Sequence, residues 1–286
     1  MNLTDRNVIK ELLKENGFSF SKSLGQNFLI NPNVCPEMAE YAVKTEDTNV
    51  IEIGPGIGVL TVELANLAKK VVSIELDERL FPVLEKTLED YDNVKVVHGD
   101  VLKLDLRKLI EEEFEEGPVV ICANLPYYIT SPVIMKLLSE NLPLDSVTVM
   151  VQKEAADRLC AEVGKREAGA VTVAINYYAY AEELFPVGRN SFMPAPKVDS
   201  EVIQLHLKEK PDPSVEDEKD FFSVVKGAFA KRRKTIMNSL SSSLGITKDE
   251  LRSILDSLGI PETARIENLK LDELINVYNL ARKIKK

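Results

Sequence analysis

Apolar blocks alternate with amphipathic stretches between residues 50 and 152 of this chain, at intervals of roughly 20 to 30 residues. Short, nearly all-apolar blocks are typical of parallel strands that helices cover on both faces, and the alternation indicates repeated βα units. Helices are predicted at residues 60–68 and 78–88, among others. Five strands are predicted, at residues 49–53, 70–75, 94–98, 119–124 and 146–152. We therefore expect an α/β fold with a doubly wound parallel sheet.

The later part of the chain changes to helical periods. A helix is predicted at residues 168–180, and strand-like pieces at residues 183–187 and 201–207 flank a stiff connector, Phe192-Met193-Pro194-Ala195-Pro196-Lys197. Beyond a break at residues 208–214, every segment has a helical period. We expect three regions: a helical N-terminal extension (1–21), a main α/β domain (22–209) and a small helical domain (218–286).

The composition limits the classes of protein to consider. The chain has 286 residues, of which 44% are hydrophobic, an ordinary share for a globular protein. No apolar stretch approaches the roughly 18 residues of a membrane span, and the first residues lack a signal pattern, so we expect a cytoplasmic protein with no membrane partner. Three dispersed cysteines and two histidines, His98 and His206, offer no zinc spacing. We expect no metal and little histidine-based proton transfer.

The net charge of −10 is unevenly distributed along the chain. Residues 187–286 carry 18 Lys/Arg and 15 Asp/Glu, whereas residues 1–186 carry 18 and 31. The densest basic cluster is Lys231-Arg232-Arg233-Lys234. If it is helical, its charges spread around the helix, and both phosphate contact and a solvated helix end are compatible with it.

Three glycines follow the first predicted strand, in Gly54-Pro55-Gly56-Ile57-Gly58. Glycine lets the backbone approach a ligand closely, although a tight strand–helix turn without a ligand gives the same pattern. Glu75 ends the second strand, where a carboxylate can bind both hydroxyls of a ribose, and Asp100 follows the third. These carboxyl-end loops converge, so we expect a nucleotide-like ligand.

Two cofactors suit this crevice: a nicotinamide dinucleotide and S-adenosylmethionine. A dinucleotide needs backbone N–H groups for its pyrophosphate, and Pro55 removes one of them. An acidic crevice also stabilises a cationic sulfonium better than an anion. The pattern favours the methyl donor.

A polar tetrad, Asn124-Leu125-Pro126-Tyr127, follows the fourth predicted strand. The Asn124 amide and the Leu125 carbonyl, held by Pro126, can accept both hydrogens of an exocyclic amine, and Tyr127 offers a face for a flat base. The tetrad is also compatible with a plain turn at the end of a strand. The chemistry fits an adenine or cytosine amine.

Five segments together resemble the ribosomal RNA adenine dimethyltransferase family. They occur in the family's order and span most of the chain. The late Arg-Arg-Lys-Thr segment resembles the small-subunit enzymes rather than their large-subunit relatives. The five are Leu24-Gly25-Gln26-Asn27-Phe28-Leu29, the Glu52–Gly58 loop, Asn124–Tyr127, Phe192–Ser200 and Lys231–Thr235. The resemblance implies a Rossmann-like class I methyltransferase domain and a helical RNA-binding domain.

The resemblance also implies roles for single residues. Asn27 and Leu29 would close over the methionine end of S-adenosylmethionine. The remaining donor contacts would come from Gly54, Gly56, Glu75, Asp100 and Asn124. The catalytic residues would be Asn124, Leu125, Pro126, Tyr127 and Phe192, with Tyr127 and Phe192 sandwiching a base pulled from its stack. RNA contacts would come from Lys231, Arg232, Arg233 and Lys234.

We therefore expect a monomeric enzyme that dimethylates the N6 amines of two adjacent adenosines near the 3′ end of small-subunit rRNA. An adenine methyltransferase acting on DNA or on large-subunit rRNA is one alternative. The other is a ribosome-assembly factor, or a relative resembling a transcription factor, that keeps the fold without turnover. The intact Asn124 tetrad and glycine loop argue against a protein without catalysis.

Overall fold

The computed structural model describes residues 1–18, 27–209 and 212–285. The expected domain boundary at residue 21 and residues 24–26 of the first family motif therefore lie outside the described residues.

The chain divides into two compact units. One contains Met1–Ala156 and Glu182–Leu207, and the other contains Asp157–Ala181 and Lys208–Lys286. The helical region expected near the C-terminus is present, and its first helix begins at Glu218. The helix predicted at residues 168–180 belongs to the second unit rather than to a continuous α/β segment.

The strands form one large sheet and one small ribbon. The large sheet has the order β4-β3-β2-β5-β6-β9-β7, and β1 and β8 form the ribbon. The strand bounds are β1 Phe28–Leu29, β2 Asn49–Ile53, β3 Lys70–Glu75, β4 Val94–His98, β5 Val119–Asn124, β6 Ser146–Gln152, β7 Ala179–Val187, β8 Phe192–Met193 and β9 Ser200–Leu207.

The five predicted strands, β2 to β6, are confirmed with their bounds, and they run parallel. All residues of β2 and all but the last residue of β5 are buried, as strands in the middle of a covered sheet must be. Their carboxyl ends consequently meet at one edge of the sheet, where open α/β sheets bind ligands.

The predicted parallel order ends at β6. β9 runs antiparallel to β6, with Val149 opposite Ile203. β7 begins at Ala179, earlier than predicted, because the preceding helix ends at Tyr178. The sheet is therefore mixed.

Helices connect these strands and make up most of the second unit. The N-terminal caps include Asp5, whose side chain accepts from the backbone N–H groups of Asn7 and Val8, and Asp105, which accepts from Lys108. The helix bounds are α1 Arg6–Glu15, α2 Val34–Ala42, α3 Val59–Leu67, α4 Phe81–Thr87, α5 Leu106–Glu113, α6 Thr130–Ser139, α7 Lys153–Leu159, α8 Ala170–Tyr178, α9 Glu218–Phe229, α10 Ile236–Leu244, α11 Lys248–Ser257 and α12 Leu271–Lys285.

The β1–β8 ribbon was not predicted. It pairs Phe28 with Met193 and Leu29 with Phe192 in an antiparallel register. Two-residue strands carry no readable alternation, so the sequence pattern contains no signal for them. The ribbon places Phe28 and Leu29 of the first family motif beside the start of the Phe192 motif.

Aromatic side chains hold the second unit together. The Tyr177 ring lies 5.4 Å from the Phe222 ring in an edge-to-face arrangement. Tyr177 and Tyr178 each donate a hydroxyl hydrogen bond to the carboxylate of Glu218, at 3.1 and 2.6 Å. α8 is buried nearly all round, which explains why it packs with the C-terminal helices instead of continuing the βα alternation.

Candidate active site

A pocket lies at the carboxyl ends of the parallel strands in the first unit. It is lined by residues of the Asn27–Leu29 segment, the loop after β2, the ends of β3 and β4, the Asn124–Ile129 turn and Phe192. The site residues predicted within this unit therefore all line one pocket. Its charged lining residues are Glu52, Glu75 and Asp100, and no Lys, Arg or His of the described chain lines it.

The three glycines of the loop after β2 have left-handed backbone conformations, which other residues adopt only at a cost in free energy. Gly54, Gly56 and Gly58 have φ angles of 72°, 61° and 91°. A Cβ at Gly54 would have no heavy atom within 4 Å, so this stretch of backbone faces open space. A Cβ at Gly56 would lie 3.2 Å from the Phe28 ring, which therefore packs directly on the loop.

Glu75 links the end of β3 to this loop. Its Oε1 accepts from the Asp77 backbone N–H at 2.8 Å, and its Oε2 from the Gly56 N–H at 3.4 Å. Burial raises the pKa of this carboxyl, and these backbone hydrogen bonds act in the opposite direction. Asp77 is itself held by Arg79, whose Nε and Nη2 donate to the two carboxylate oxygens at 2.7 and 2.6 Å.

Asp100 follows β4, the strand next to β3, at the same edge of the sheet. Its Oδ1 accepts from the Leu102 backbone N–H at 3.0 Å, which fixes the turn after β4. Lys103 Nζ lies 3.4 Å from Oδ2, but the lysine side chain is 84% exposed and contributes little. Asp100 is thus fixed in position and borders the pocket.

Asn124 and Leu125 present polar atoms without partners among the described residues. The side-chain amide of Asn124 makes no hydrogen bond within the described part of the chain, and neither does the Leu125 carbonyl. Backbone hydrogen bonds hold this segment in place. Leu125 N–H donates to the Met150 carbonyl at 3.2 Å, and Ile129 N–H donates to the Pro126 carbonyl at 3.1 Å. Two acceptors at a pocket wall are therefore available to a ligand.

The two aromatic residues expected to hold a base differ in exposure. Tyr127 is half-buried, and its hydroxyl lies 3.1 Å from Ser200 Oγ. Burial raises the pKa of Tyr127. Phe192 lines the pocket but is only 3% exposed, because it packs in a core cluster with Leu29 and Met38. Very little of its ring is therefore exposed to the site.

Sequence reasoning missed Glu52 as a pocket residue. It is 1% exposed, as the fourth of the five residues of β2, and its Oε2 accepts hydrogen bonds from Thr61 Oγ1 at 2.7 Å and Ser73 Oγ at 2.6 Å. Burial raises its pKa to about 7, opposed by these two hydroxyls. A glutamate inside an otherwise apolar strand, Val50-Ile51-Glu52-Ile53, was the available signal.

A model of the ribosomal RNA adenine dimethylase family matches residues 17–283. The chain belongs to this family. The resemblance predicted from the five motifs is thereby confirmed, and so is the fold class that it implied.

Individual relatives support the same family. The chain is 50% identical over 274 residues to ribosomal RNA small subunit methyltransferase A of Geobacillus thermodenitrificans, covering 94% of each protein. The structure of a dimethyladenosine transferase from Plasmodium falciparum is 29% identical with a TM-score of 0.72, over 87% of this chain and 95% of that one. That of a 23S rRNA methyltransferase is 27% identical with a TM-score of 0.66, over 90% and 100%.

The basic segment of this family member lies in the second unit, and it is not helical. Lys231 to Lys234 form a turn between α9 and α10 rather than a helix. The N–H groups of Lys231, Arg232 and Lys234 each donate to the carbonyl three residues earlier, which is a tight-turn pattern. The segment thus presents its charges from a loop.

The four cations of this turn have different surroundings. Arg232 Nη2 lies 2.8 Å from Glu267 Oε2 and donates to the Arg166 carbonyl at 2.9 Å. Lys231 Nζ donates to Ser242 Oγ at 2.8 Å. Arg233 and Lys234 are exposed and have no ion pair within the described residues.

Metal-binding clusters and membrane-spanning helices are both absent from the described residues. Residues 1–18, 27–209 and 212–285 contain no group of three or more His, Cys, Asp or Glu side chains that could hold a metal ion. No helix over the same ranges is long and apolar enough to cross a membrane.

Proposed function

We propose that this protein dimethylates the N6 amines of two adjacent adenosines near the 3′ end of small-subunit rRNA, using S-adenosylmethionine. Membership of the adenine dimethylase family and the 50% identity to a small subunit methyltransferase support the substrate class. The observation that carries the chemistry is the pair of unpartnered acceptors, Asn124 and the Leu125 carbonyl, in the pocket that the glycine loop also lines.

The pocket suits S-adenosylmethionine. The open backbone face at Gly54 leaves room for a ligand, and Glu75 at the end of β3 would accept from the ribose hydroxyls. Asp100 would reach the donor's adenine, and Asn27 and Leu29 would border its methionine end. The acidic lining, with no basic side chain among the described residues, stabilises a cation and disfavours a pyrophosphate. This argues against a nicotinamide dinucleotide.

The chain's own residues orient the amine. An exocyclic amine of adenine is a poor nucleophile because its lone pair is delocalised into the ring. Hydrogen bonds from its two N–H groups to Asn124 Oδ1 and the Leu125 carbonyl favour a pyramidal nitrogen, with its lone pair directed away from the two acceptors. The bound donor supplies an electrophilic methyl group. Most of the catalysis is then positioning of the reacting atoms at about 3 to 3.5 Å.

The reaction needs no general base from the protein. An alkylated ammonium is acidic enough to lose its proton to water. His98 lies at the end of β4 and His206 in β9, and neither lines the pocket. Pro126 keeps the tetrad backbone rigid, Tyr127 stacks on the target base, and Phe192 supports that base from the core side.

RNA contacts beyond the target base come from the helical C-terminal region, residues 218–286. Arg233 and Lys234, exposed on the α9–α10 turn, contact phosphates, and Lys231 adds to the same positive surface. Arg232, which is paired with Glu267, contributes less to RNA binding than the other three. We propose that the enzyme acts as a cytoplasmic monomer on the small ribosomal subunit, without a metal.

The test is transfer of labelled methyl from S-adenosylmethionine to small subunits that lack the modification. Large subunits and naked DNA are the controls for specificity. We expect label only in the small subunit, and digestion to release it as N6,N6-dimethyladenosine. Label in either control would indicate an adenine methyltransferase of different specificity. Binding to the small subunit without any label would indicate an assembly factor.

A further inference from the structure

Tyr128 is an exposed aromatic residue at the mouth of the pocket. It lines the pocket and is 56% exposed, whereas Tyr127 beside it is half-buried. Its hydroxyl has no hydrogen bond and its ring no aromatic neighbour within the described residues. Leu76 is the other exposed large apolar residue of the lining, but it follows Glu75 on the donor side.

The turn that carries Tyr128 fixes its position. Tyr127 and Tyr128 are the central residues of the Pro126–Ile129 turn, which the Ile129 N–H closes on the Pro126 carbonyl at 3.1 Å. α6 begins immediately after it, at Thr130. Tyr127 is held toward Ser200, while Tyr128 points to solvent. The two rings therefore serve different parts of a ligand.

A base that enters the pocket leaves a gap in its strand. Flipping costs a few kcal/mol because the target and its neighbour lose their mutual stacking. An exposed aromatic ring at the pocket mouth can restore that stacking for the neighbour, whichever base it is, since every base has a π-face. A tyrosine that is left open to water without a partner is suited to this use, because its free apolar face becomes covered only when RNA binds.

We propose that Tyr128 forms a second nucleobase subsite, on which the base next to the target adenine stacks while the target occupies the pocket. This inference rests on the proposed function. The subsite takes a nucleobase of single-stranded RNA and lowers the cost of extrusion. It makes methylation depend on the presence of a base beside the target, whatever the identity of that base.

The experiment combines a protein variant with an altered substrate. Small subunits are reconstituted from rRNA with a ligated synthetic 3′ segment that carries an abasic ribose at each neighbour of one target adenosine in turn. Methylation of that adenosine is measured with full-length wild type and with Tyr128→Ala. We expect Tyr128→Ala to lower kcat/KM on intact subunits about 5- to 100-fold. Removing the base that stacks on Tyr128 should lower kcat/KM of the wild type by a similar factor. The same abasic substrate should leave kcat/KM of Tyr128→Ala as it is on intact subunits.

Two control variants and one binding measurement separate stacking from folding. Tyr128→Phe keeps the ring and should retain wild-type kcat/KM. Tyr180→Ala removes a 68% exposed tyrosine of the second unit and should have no effect. The affinity of Tyr128→Ala for S-adenosylmethionine in calorimetry should equal that of the wild type.

Three outcomes would overturn the subsite. The first is an unchanged kcat/KM for Tyr128→Ala, and the second is a loss with Tyr128→Phe as large as with alanine. The third is that the abasic ribose lowers kcat/KM of Tyr128→Ala by the same factor as it lowers that of the wild type, because the two changes would then act independently. A wild type that methylates no unmodified small subunits, native or reconstituted, would instead overturn the proposed function.

Discussion

Arg232 and Glu267 form an ion pair inside the second unit, with Nη2 and Nε of the arginine 2.8 and 2.9 Å from Glu267 Oε2. The carboxylate side chain is only 14% exposed. One cation of the basic segment is therefore neutralised within the protein, and it also ties the Arg166 backbone to the turn. Arg233 and Lys234 are exposed, and their charges are available to an anionic ligand.

This pairing predicts that neighbouring arginines have different effects when replaced. Arg233→Ala should weaken binding to unmodified small subunits and reduce the slope of log affinity against log salt by about 1. Arg232→Ala should change that slope less and instead lower the free energy of unfolding by up to about 1 kcal/mol, since the pair is partly exposed. Salt-dependent binding and chemical denaturation measure the two effects. Equal slopes for both variants would contradict the assignment.

Tyr127 should act through its ring rather than its hydroxyl. Tyr127→Phe removes only the bond to Ser200 Oγ and should retain methylation within roughly 5-fold, as should Ser200→Ala. Tyr127→Ala removes the stacking face and should reduce kcat/KM by about 1 to 3 kcal/mol of transition-state free energy. Steady-state methylation of small subunits measures this. If phenylalanine were as damaging as alanine, stacking would not be the role of Tyr127.

Glu75 should be important for donor binding. Glu75→Ala removes the proposed acceptor for the ribose hydroxyls and also the bond to the Gly56 N–H. The affinity for S-adenosylmethionine should fall by roughly 1 to 3 kcal/mol. Calorimetric titration tests this, with Glu63→Ala, a carboxylate on α3 that does not line the pocket, as the control. An unchanged donor affinity would remove Glu75 from the site.

Glu52 should make stability depend on pH. Its pKa is raised from 4.5 to about 7, so between these values the folded protein keeps a proton that the unfolded chain has released. Stability from this group therefore falls as pH rises from about 4.5 to 7, by about 3 kcal/mol in total.

Glu52→Gln isolates that contribution. The glutamine carbonyl can still accept from Thr61 and Ser73 but cannot titrate. Urea denaturation of both proteins at pH 5 and pH 8 should show the variant gaining stability relative to the wild type by about 3 kcal/mol at the higher pH. Parallel pH profiles would show that Glu52 has an ordinary pKa.

The sequence pattern predicted the central strands well because burial on both faces leaves an unambiguous apolar run. β2 and β5 have the predicted bounds for this reason. Glycine and polar residues at or just after the ends of such strands also predicted the site correctly, because parallel strands bring their carboxyl ends to one edge of the sheet. That is why Gly54, Glu75 and Asn124 were found as pocket residues.

Other features depend on contacts distant in sequence. The pairing of Leu29 with Phe192 joins segments too short for a pattern, and the burial of Phe192 follows from that ribbon. The Arg232–Glu267 pair joins residues 35 positions apart, so the basic run alone could not show which cation is neutralised. Glu52 was missed because its hydrogen-bond partners, Thr61 and Ser73, lie on other elements and are not evident from the apolar sequence around it.

The central claim is that Asn124 positions an adenine amine for methyl transfer. The most direct measurement is single-turnover transfer from saturating S-adenosylmethionine to saturating unmodified small subunits, comparing wild type with Asn124→Ala. We predict that the variant still binds the subunit but forms N6-methylated adenosine at least about 100-fold more slowly, because one acceptor that orients the amine is lost. Full methylation by Asn124→Ala would contradict the account.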